Sequence, residues 1–175
     1  MKRSVPSAIK QSNRQFRKNT IQAFKWIVAI LRKNKIPFQV TAGLAAKVYG
    51  SERPLFDIDL DVPEGRFQDI VRHVNRYIVY GPKQHVSSHF SLKLVTVKYR
   101  NQFIDIGGAY EPRIRHTSED EWHKCPTNFA NAKKLSVMGR IVPVVSREEL
   151  VHYKGVVGRK VDLEDIQAIE SRPIP

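Results

Sequence analysis

The sequence predicts a single α/β domain of the α+β type, and three stretches of the chain carry this prediction. Apolar residues recur at helical spacing between residues 21 and 31, which indicates an amphipathic helix. Apolar and acidic residues alternate strictly over residues 56–62, which is typical of a half-buried strand. Residues 90–99 and 102–106 then predict two strands joined by a tight turn.

The remaining elements follow from caps and breakers. Thr20 is predicted to cap the first helix, residues 64–76 to form a second, and Ser146, followed by Glu149, to open a third through a capping box. Asp162 is predicted to cap a final helix over residues 163–170. Short elements are expected at 38–42 (strand), 44–49 (helix) and 77–80 (strand), loops at 81–89 and 109–132, and a hairpin at 134–145 turning at Met138-Gly139.

Length and composition exclude several classes of protein. The 175 residues, 41% of them apolar, suit one domain with a real core, and no apolar run approaches the roughly 20 residues that span a bilayer. We therefore expect no membrane association. We expect no secretory signal, because the N-terminus has no long apolar segment followed by small residues, and the single cysteine, Cys125, allows no internal disulfide. Together these features favour a cytoplasmic location.

The formal charge of +13 is the strongest compositional signal. A surface so basic attracts polyanions such as nucleic acids or phosphorylated substrates, although charge can also serve solubility alone. Basic residues crowd the first 19 positions, which we interpret as a flexible basic arm before a domain at 20–175. The basic residues of this arm are Lys2, Arg3, Lys10, Arg14, Arg17 and Lys18.

Three aspartates form the candidate site. Asp57 and Asp59 lie two apart on one strand, so both side chains point the same way. Paired carboxylates of this kind hold Mg²⁺ together with substrate phosphates. Asp105 is the candidate third ligand, because an aspartate flanked by apolar strand residues is costly unless it is paired or metal-bound. Asp61, next on the first strand, is assigned to solubility.

The alternative is that these aspartates only form a solvated strand face. The surroundings favour a site, because Gly43 marks a turn that opens a short helix, and free N–H groups there can bind phosphate. Arg53 lies four residues before Asp57 and can pair with phosphate as well. His116, His123 and Cys125 fit no trusted zinc spacing.

These residues resemble the signature of the DNA polymerase beta-like nucleotidyltransferase superfamily. The matching motif is Ala42-Gly43-Leu44-Ala45, Tyr49-Gly50, Arg53, Asp57-Ile58-Asp59 and, on a later strand, Asp105. The sequence is most similar to the small bacterial branch with AbiEii-type toxins and lincosamide or aminoglycoside nucleotidyltransferases. Four C-terminal residues, Lys154, Arg159, Asp162 and Asp165, resemble an AbiEii-like element. Ala42 and Leu55 depart from the pattern, since a glycine and a small hydroxyl residue usually stand there.

The resemblance implies a mixed β-sheet of about four to five strands flanked by helices, plus a C-terminal hairpin and helices. It also implies a catalytic Asp57, Asp59 and Asp105 that bind Mg²⁺ or Mn²⁺ and move a nucleoside monophosphate from an NTP. The implied phosphate-binding residues are Ala42, Gly43, Arg53 and Lys154, although Lys154 can equally be a solvated lysine. Arg159 would either contact substrate or pair with Asp165.

The acceptor is open at this stage. The basic surface favours RNA or tRNA over a cationic aminoglycoside, and a toxin of a toxin–antitoxin pair is one version of this interpretation. A second hypothesis is a catalytically inactive protein of the same fold that acts as a nucleic-acid-binding or assembly module. Leu55, and the absence of a recognisable acceptor domain, favour that second hypothesis.

Overall fold

The protein consists of a mixed β-sheet with helices packed against it. The structure is a computed structural model that describes residues 7–172, with side chains described from Arg17 onward. Lys2, Arg3 and the terminal prolines Pro173 and Pro175 therefore lie outside the described residues. The helices are α1 (Ser7–Lys33), α2 (Ala42–Val48), α3 (Phe67–Val74), α4 (Arg147–Val157) and α5 (Lys160–Glu170). The strands are β1 (Gln39–Val40), β2 (Asp57–Val62), β3 (Ile78–Val86), β4 (Phe90–Tyr99), β5 (Gln102–Gly108), β6 (Arg113–Arg115), β7 (Trp122–Lys124), β8 (Lys133–Val137) and β9 (Arg140–Val144).

The sheet places the aspartate-bearing strands at its centre. Over the described part of the chain its order is β7-β6-β4-β5-β2-β1-β9-β8, with β3 paired to β4. The β2–β5 and β1–β9 pairs are parallel and the others are antiparallel, which confirms a mixed α+β architecture. The nine strands found among residues 7–172 include the predicted C-terminal hairpin as β8 and β9, and β6 and β7 are the two that were not expected.

One face of the sheet and the apolar stripe of α1 form the core. Ile58, Leu60, Ile104 and Ile106 alternate with the aspartates along β2 and β5, and each is at most 1% exposed. The residues of α1 in this core are Ala23, Phe24, Ile27, Val28 and Leu31. Burying this face leaves the opposite face, with its carboxylates, toward the cavity described below.

The first helix is longer than the apolar stripe indicated. It begins at Ser7, so the prediction that Thr20 caps it is wrong. Thr20 lies inside α1, where its buried hydroxyl is 2.5 Å from Oε1 of Gln102. The basic stretch before residue 20 shows no apolar periodicity. The apolar stripe at residues 21–31 therefore predicted only the C-terminal part of this helix.

Two regions predicted as loops contain strands. Residues 81–89, predicted as a polar loop, belong largely to β3, which contains a Gly81-Pro82 pair. Its pairing with β4 shifts register on either side of Tyr80, which is how the strand accommodates that pair. Residues 109–132 contain β6, β7 and a 3₁₀ turn at Phe129–Asn131, elements too short to show a period.

The hairpins and one cap are confirmed. Arg100-Asn101 and Met138-Gly139 all have positive φ values, as two-residue hairpin turns require. The Ser146 hydroxyl accepts a hydrogen bond from the Glu149 N–H at 3.2 Å. The helix expected at 64–76 is α3, with 3₁₀ turns at Glu64–Arg66 and Asn75–Tyr77.

Candidate active site

The three predicted aspartates meet on one face of the sheet. Asp59 on β2 is the register partner of Asp105 on β5, and Asp57 lies one pleat earlier on the same face. One carboxylate oxygen from each of the three lies within 4.8 Å of the others. Among the described residues this is the one group of three such side chains close enough to share an ion, and His116, His123 and Cys125 form none.

Burial and mutual repulsion act on these carboxylates. Desolvation, followed by the charges of Asp57 and Asp105, raises the pKa of Asp59 well above its ordinary value, while a hydrogen bond from the Gly43 N–H opposes the shift. Burial also raises the pKa of Asp105, opposed by the Thr96 hydroxyl, which donates to Asp105 Oδ1 at 2.5 Å. A divalent cation would relieve both effects, and the all-oxygen donor set suits Mg²⁺ or Mn²⁺.

The glycine turn lies directly beside the triad. A Cβ built on Gly43 would lie 3.8 Å from Asp59 Oδ2, so this backbone closely approaches the carboxylate. Ala42 has φ 46°, a left-handed conformation that glycine adopts without strain. Ala42, which replaces the first glycine of the usual pair, therefore keeps the backbone conformation that a glycine would adopt there.

A large cavity contains the triad in its wall. Its volume is about 830 Å³, and its lining includes Gly43 and the three aspartates. Volumes of this order suit a drug-sized or nucleotide-sized ligand. Other polar groups on its wall include Arg113, Lys124, Asn128, Glu148, His152 and Arg159.

Arg53 and Lys154, predicted to bind phosphate, instead contact carboxylates of α5. Arg53 Nη1 lies 2.6 Å from Asp165, and Lys154 Nζ lies 2.9 Å from Asp165 and 3.1 Å from Asp162. Lys154 is only 3% exposed, so it is not a solvated lysine. Arg53 and Lys154 still line the cavity wall, and their phosphate-binding role stays a prediction.

These residues form what we call the C-terminal ion-pair cluster, made of Arg53, Lys154, Arg159, Asp162 and Asp165. Two predictions are corrected here. Asp162 does not cap α5, which begins at Lys160; it is fully buried and accepts two hydrogen bonds from Arg159, at 2.7 and 3.1 Å. Arg159 therefore pairs with Asp162 and not with Asp165.

Asp61 also differs from its prediction. Its side chain is not a solubilising group on the surface, because Thr127 donates to Asp61 Oδ2 at 2.9 Å and the residue lies in the cavity wall. Burial is the main cause that raises the pKa of Asp61 to about 7, opposed by hydrogen bonds from Thr127 and Gln39. Burial likewise raises the pKa of the Cys125 thiol to about 11.

Several residues at the site escaped sequence reasoning. Thr96, which orients Asp105, and Tyr153, which lines the cavity, carry no motif. Thr96 was in principle accessible, because the predicted hairpin at residues 90–106 places it directly across from Asp105. The position of Tyr153 in the cavity wall depends on how α4 packs, and no local sequence pattern specifies that packing.

Several solved structures share the architecture of this chain. A candidate nucleotidyltransferase from Thermotoga maritima aligns with a TM-score of 0.67 and 19% identity, over 86% of this chain and 92% of that one. The chain has the nucleotidyltransferase fold. ANT(2'')-Ia, in complex with adenylyl-2''-tobramycin, aligns with a TM-score of 0.59 and 14% identity, over 86% of this chain and 87% of its own. The lincomycin-bound lincosamide antibiotic adenylyltransferase LnuA gives 0.57 and 16%, over 86% and 96%.

The nucleotidyltransferase fold and the triad were thus both expected from the sequence motifs. No protein-family model matches the sequence, and no curated protein matches it either. At these identities the likeness to solved structures establishes the fold alone. Across residues 7–172, none of the helices combines the length and apolarity needed to cross a bilayer.

Proposed function

We propose that the protein is a metal-dependent nucleotidyltransferase that transfers a nucleoside monophosphate from an NTP to an acceptor hydroxyl. One observation carries the proposal: Asp57, Asp59 and Asp105 place carboxylate oxygens within 4.8 Å of one another in the wall of a cavity of about 830 Å³. The nucleotidyltransferase fold of the chain supports it. A cytoplasmic location, expected from the composition, would supply the NTP.

The triad would hold the cation. Asp57 and Asp59 project from one strand and Asp105 from its parallel neighbour, which gives three oxygen donors around one point. Bound Mg²⁺ or Mn²⁺ would supply charge neutralisation for the triphosphate and lower the pKa of the acceptor hydroxyl. A bound cation would stabilise the charged form of Asp59, which burial and the neighbouring carboxylates Asp57 and Asp105 disfavour.

The chain's own groups account for the rest of the reaction. The acceptor oxygen forms a bond to the α-phosphorus, the bond from that phosphorus to the bridging oxygen of the β-phosphate breaks, and pyrophosphate leaves with that electron pair. Asp105 would take the proton of the acceptor hydroxyl as a general base. Cationic cavity residues, namely Arg113, Lys124 and Arg159, offer charge to the phosphates.

We further propose RNA, with tRNA as one case, as the acceptor. The formal charge of +13 attracts a polyanion and repels a cationic aminoglycoside such as the one named with ANT(2'')-Ia. An RNA-modifying toxin of a toxin–antitoxin pair is one protein that would combine these properties.

A second candidate function is an inactive nucleic-acid-binding module of the same fold. The observation that favours it is the engagement of Arg53 and Lys154 with Asp165, which leaves them less free to bind a triphosphate. Under this alternative the protein would bind RNA without transferring a nucleotide.

The deciding experiment uses each α-phosphate-labelled NTP with Mg²⁺ and total RNA. We expect label in RNA with the wild-type protein, none with Asp57→Ala, and wild-type transfer with Asp120→Ala, a matched control at an exposed loop aspartate. If the wild type neither transfers label nor binds NTP in a Mg²⁺-dependent way, the proposal fails and the binding module stands.

A further inference from the structure

The face of the sheet that carries the triad continues beyond Asp105 onto β4 and β3. Asp105 is the register partner of Thr96, which in turn pairs with Tyr80. One row away, Phe103 is the partner of Lys98. Because register partners project to the same side of a sheet, these side chains form one continuous surface with the triad.

Three aromatic residues line one cavity beside this surface, and we call them the aromatic platform: Tyr80 and Phe103 from the sheet, and Phe56 from just before β2. Phe56 immediately precedes Asp57 and is 71% exposed, while Phe103 is 42% exposed. All three line a second cavity of about 380 Å³, which shares Asp57 and Asp105 with the larger one. Exposed aromatic rings beside a polar site indicate a surface that a ligand covers.

Cationic side chains accompany the aromatic platform. Lys98 Nζ lies 5.0 Å from the Phe103 ring centroid, and Lys83 Nζ lies 4.5 Å from that of Tyr80. Both lysines are exposed. His85 stands edge-on to Tyr80, with ring centroids 5.6 Å apart. Tyr80 and Phe103 thus each have a basic group next to them.

We propose that the aromatic platform binds the last bases of a single-stranded RNA whose terminal hydroxyl lies at Asp105. This inference rests on the proposed function and names the surface that receives the acceptor. Open sheet faces with exposed rings stack unpaired bases, and stacking tolerates any sequence because every base has a π-face. Lys83 and Lys98 are placed to contact the phosphates between these bases. An apolar protein partner would leave both lysines without a counter-charge.

The two cavities offer separate places for the two substrates, with Phe56 at their shared border. The larger cavity extends from the triad toward Arg113, Lys124 and Arg159, which suits the triphosphate. The smaller cavity extends from the same triad toward the aromatic platform. Asp57 and Asp105 border both, so an acceptor on one side and an NTP on the other would meet there.

The test is the fluorescence anisotropy of a labelled, unstructured RNA oligonucleotide, titrated with the whole protein at two or more salt concentrations. We expect Phe56→Ala and Phe103→Ala each to raise Kd by about fivefold to 150-fold, the effect of losing one stacked base. Lys98→Ala should reduce the slope of log K against log salt by about 0.7, the value for one phosphate contact on a single strand.

Matched controls lie at the far edge of the sheet. Ile141→Ala removes an apolar side chain that is 57% exposed, a value between those of Phe56 and Phe103, and Lys134→Ala removes an exposed lysine of β8. We expect Ile141→Ala to bind RNA with the wild-type Kd, and Lys134→Ala to show the wild-type dependence of log K on log salt. Unchanged melting temperatures for Phe56→Ala and Phe103→Ala would show that these exposed substitutions leave the fold intact.

The readouts separate this inference from the proposed function. Mg²⁺-dependent NTP binding should survive Phe103→Ala and be lost in Asp57→Ala, so RNA binding and nucleotide binding fail independently. Wild-type Kd for RNA in the double variant Phe56→Ala/Phe103→Ala would overturn the aromatic platform as the acceptor site, whatever the NTP result. Concentration-dependent self-association that the double variant abolishes, without any effect on RNA binding, would likewise overturn it in favour of a second copy of the chain.

Discussion

Asp59 and Asp105 lie directly opposite each other on the parallel strands β2 and β5, and burial raises the pKa of both carboxyl groups. This pairing depends on register, because a slip of one residue would turn Asp105 toward the apolar core. Ile58, Leu60, Ile104 and Ile106 prevent that slip by filling the core face. The hydrophobic pattern that stabilises the sheet therefore also assembles the acidic triad.

The first prediction concerns the charge of the triad. In buffer without divalent cations, Asp59→Asn should melt at a higher temperature than the wild type, because one desolvated like charge is removed. A gain of about 1 kcal/mol corresponds to about 2–4 °C in a chain of this size. Added Mg²⁺ should raise the melting temperature of the wild type and leave the variant unchanged.

Calorimetry with EDTA and then with excess Mg²⁺ measures both effects. Asp120→Asn is the matched control, because that side chain is fully exposed, and it should respond to Mg²⁺ as the wild type does. An Asp59→Asn protein whose melting temperature still rises with Mg²⁺ would place the cation somewhere other than the triad.

The second prediction concerns Thr96, whose hydroxyl donates to Asp105 at 2.5 Å. Thr96→Val keeps the shape but removes this donor, so we expect Mg²⁺ affinity to fall by about 10–100-fold, as for other groups that orient a metal ligand. The midpoint of the Mg²⁺-dependent rise in melting temperature measures it. Thr127→Val removes the equivalent bond to Asp61 and should leave that midpoint unchanged; equal midpoints for all three proteins would contradict the role of Thr96.

The third prediction concerns the C-terminal ion-pair cluster. Lys154→Met leaves Asp162 and Asp165 partly uncompensated in a buried site, which should lower the free energy of unfolding by about 3–5 kcal/mol. The exposed Lys160→Met should change it by less than about 0.5 kcal/mol. Urea unfolding of the two variants gives the comparison. Unchanged stability with weakened NTP binding in Lys154→Met would instead support the phosphate-binding role.

The fourth prediction is a pH dependence arising from Asp162. Burial acts to raise its pKa, but hydrogen bonds from Arg159 and the charge of Lys154 outweigh burial and lower the pKa below its ordinary value. The folded state therefore binds this proton less readily than the unfolded state, so the stabilisation is complete above about pH 4 and is lost as the pH falls further. Asp162→Asn should show a smaller acid-induced loss of unfolding free energy than the wild type, measured by denaturant titrations across this range.

The features that the sequence predicted correctly are those that depend on residues close together in the chain. Strict alternation on β2, together with an aspartate flanked by apolar residues on β5, was enough to identify the three aspartates, because strand period is a local property. The parallel pairing of β2 with β5 that brings them together is a long-range contact. Ser146 was likewise found from its capping box.

Features set by long-range packing were missed. Asp162 looked like a cap because a cap and a buried ion-pair partner share the same residue type, and only the position of Lys154 distinguishes them. Asp61 looked solvent-facing because its covering residue, Thr127, comes from a segment without periodicity. The strands β6 and β7 have three residues each, too few for alternation to be counted.

The final prediction tests why Ala42 can stand where a glycine is usual. Its φ of 46° costs an alanine about 1–2 kcal/mol, whereas the added chain entropy of a glycine costs about 0.4–1 kcal/mol. Ala42→Gly should therefore leave the free energy of unfolding unchanged or raise it by up to about 1.6 kcal/mol. The same substitution at Ala45, which is buried within α2, should lower it by about 1 kcal/mol or more. Chemical denaturation of both variants measures the difference, and a similar loss of stability at the two positions would show that Ala42 is not held in a glycine-like conformation.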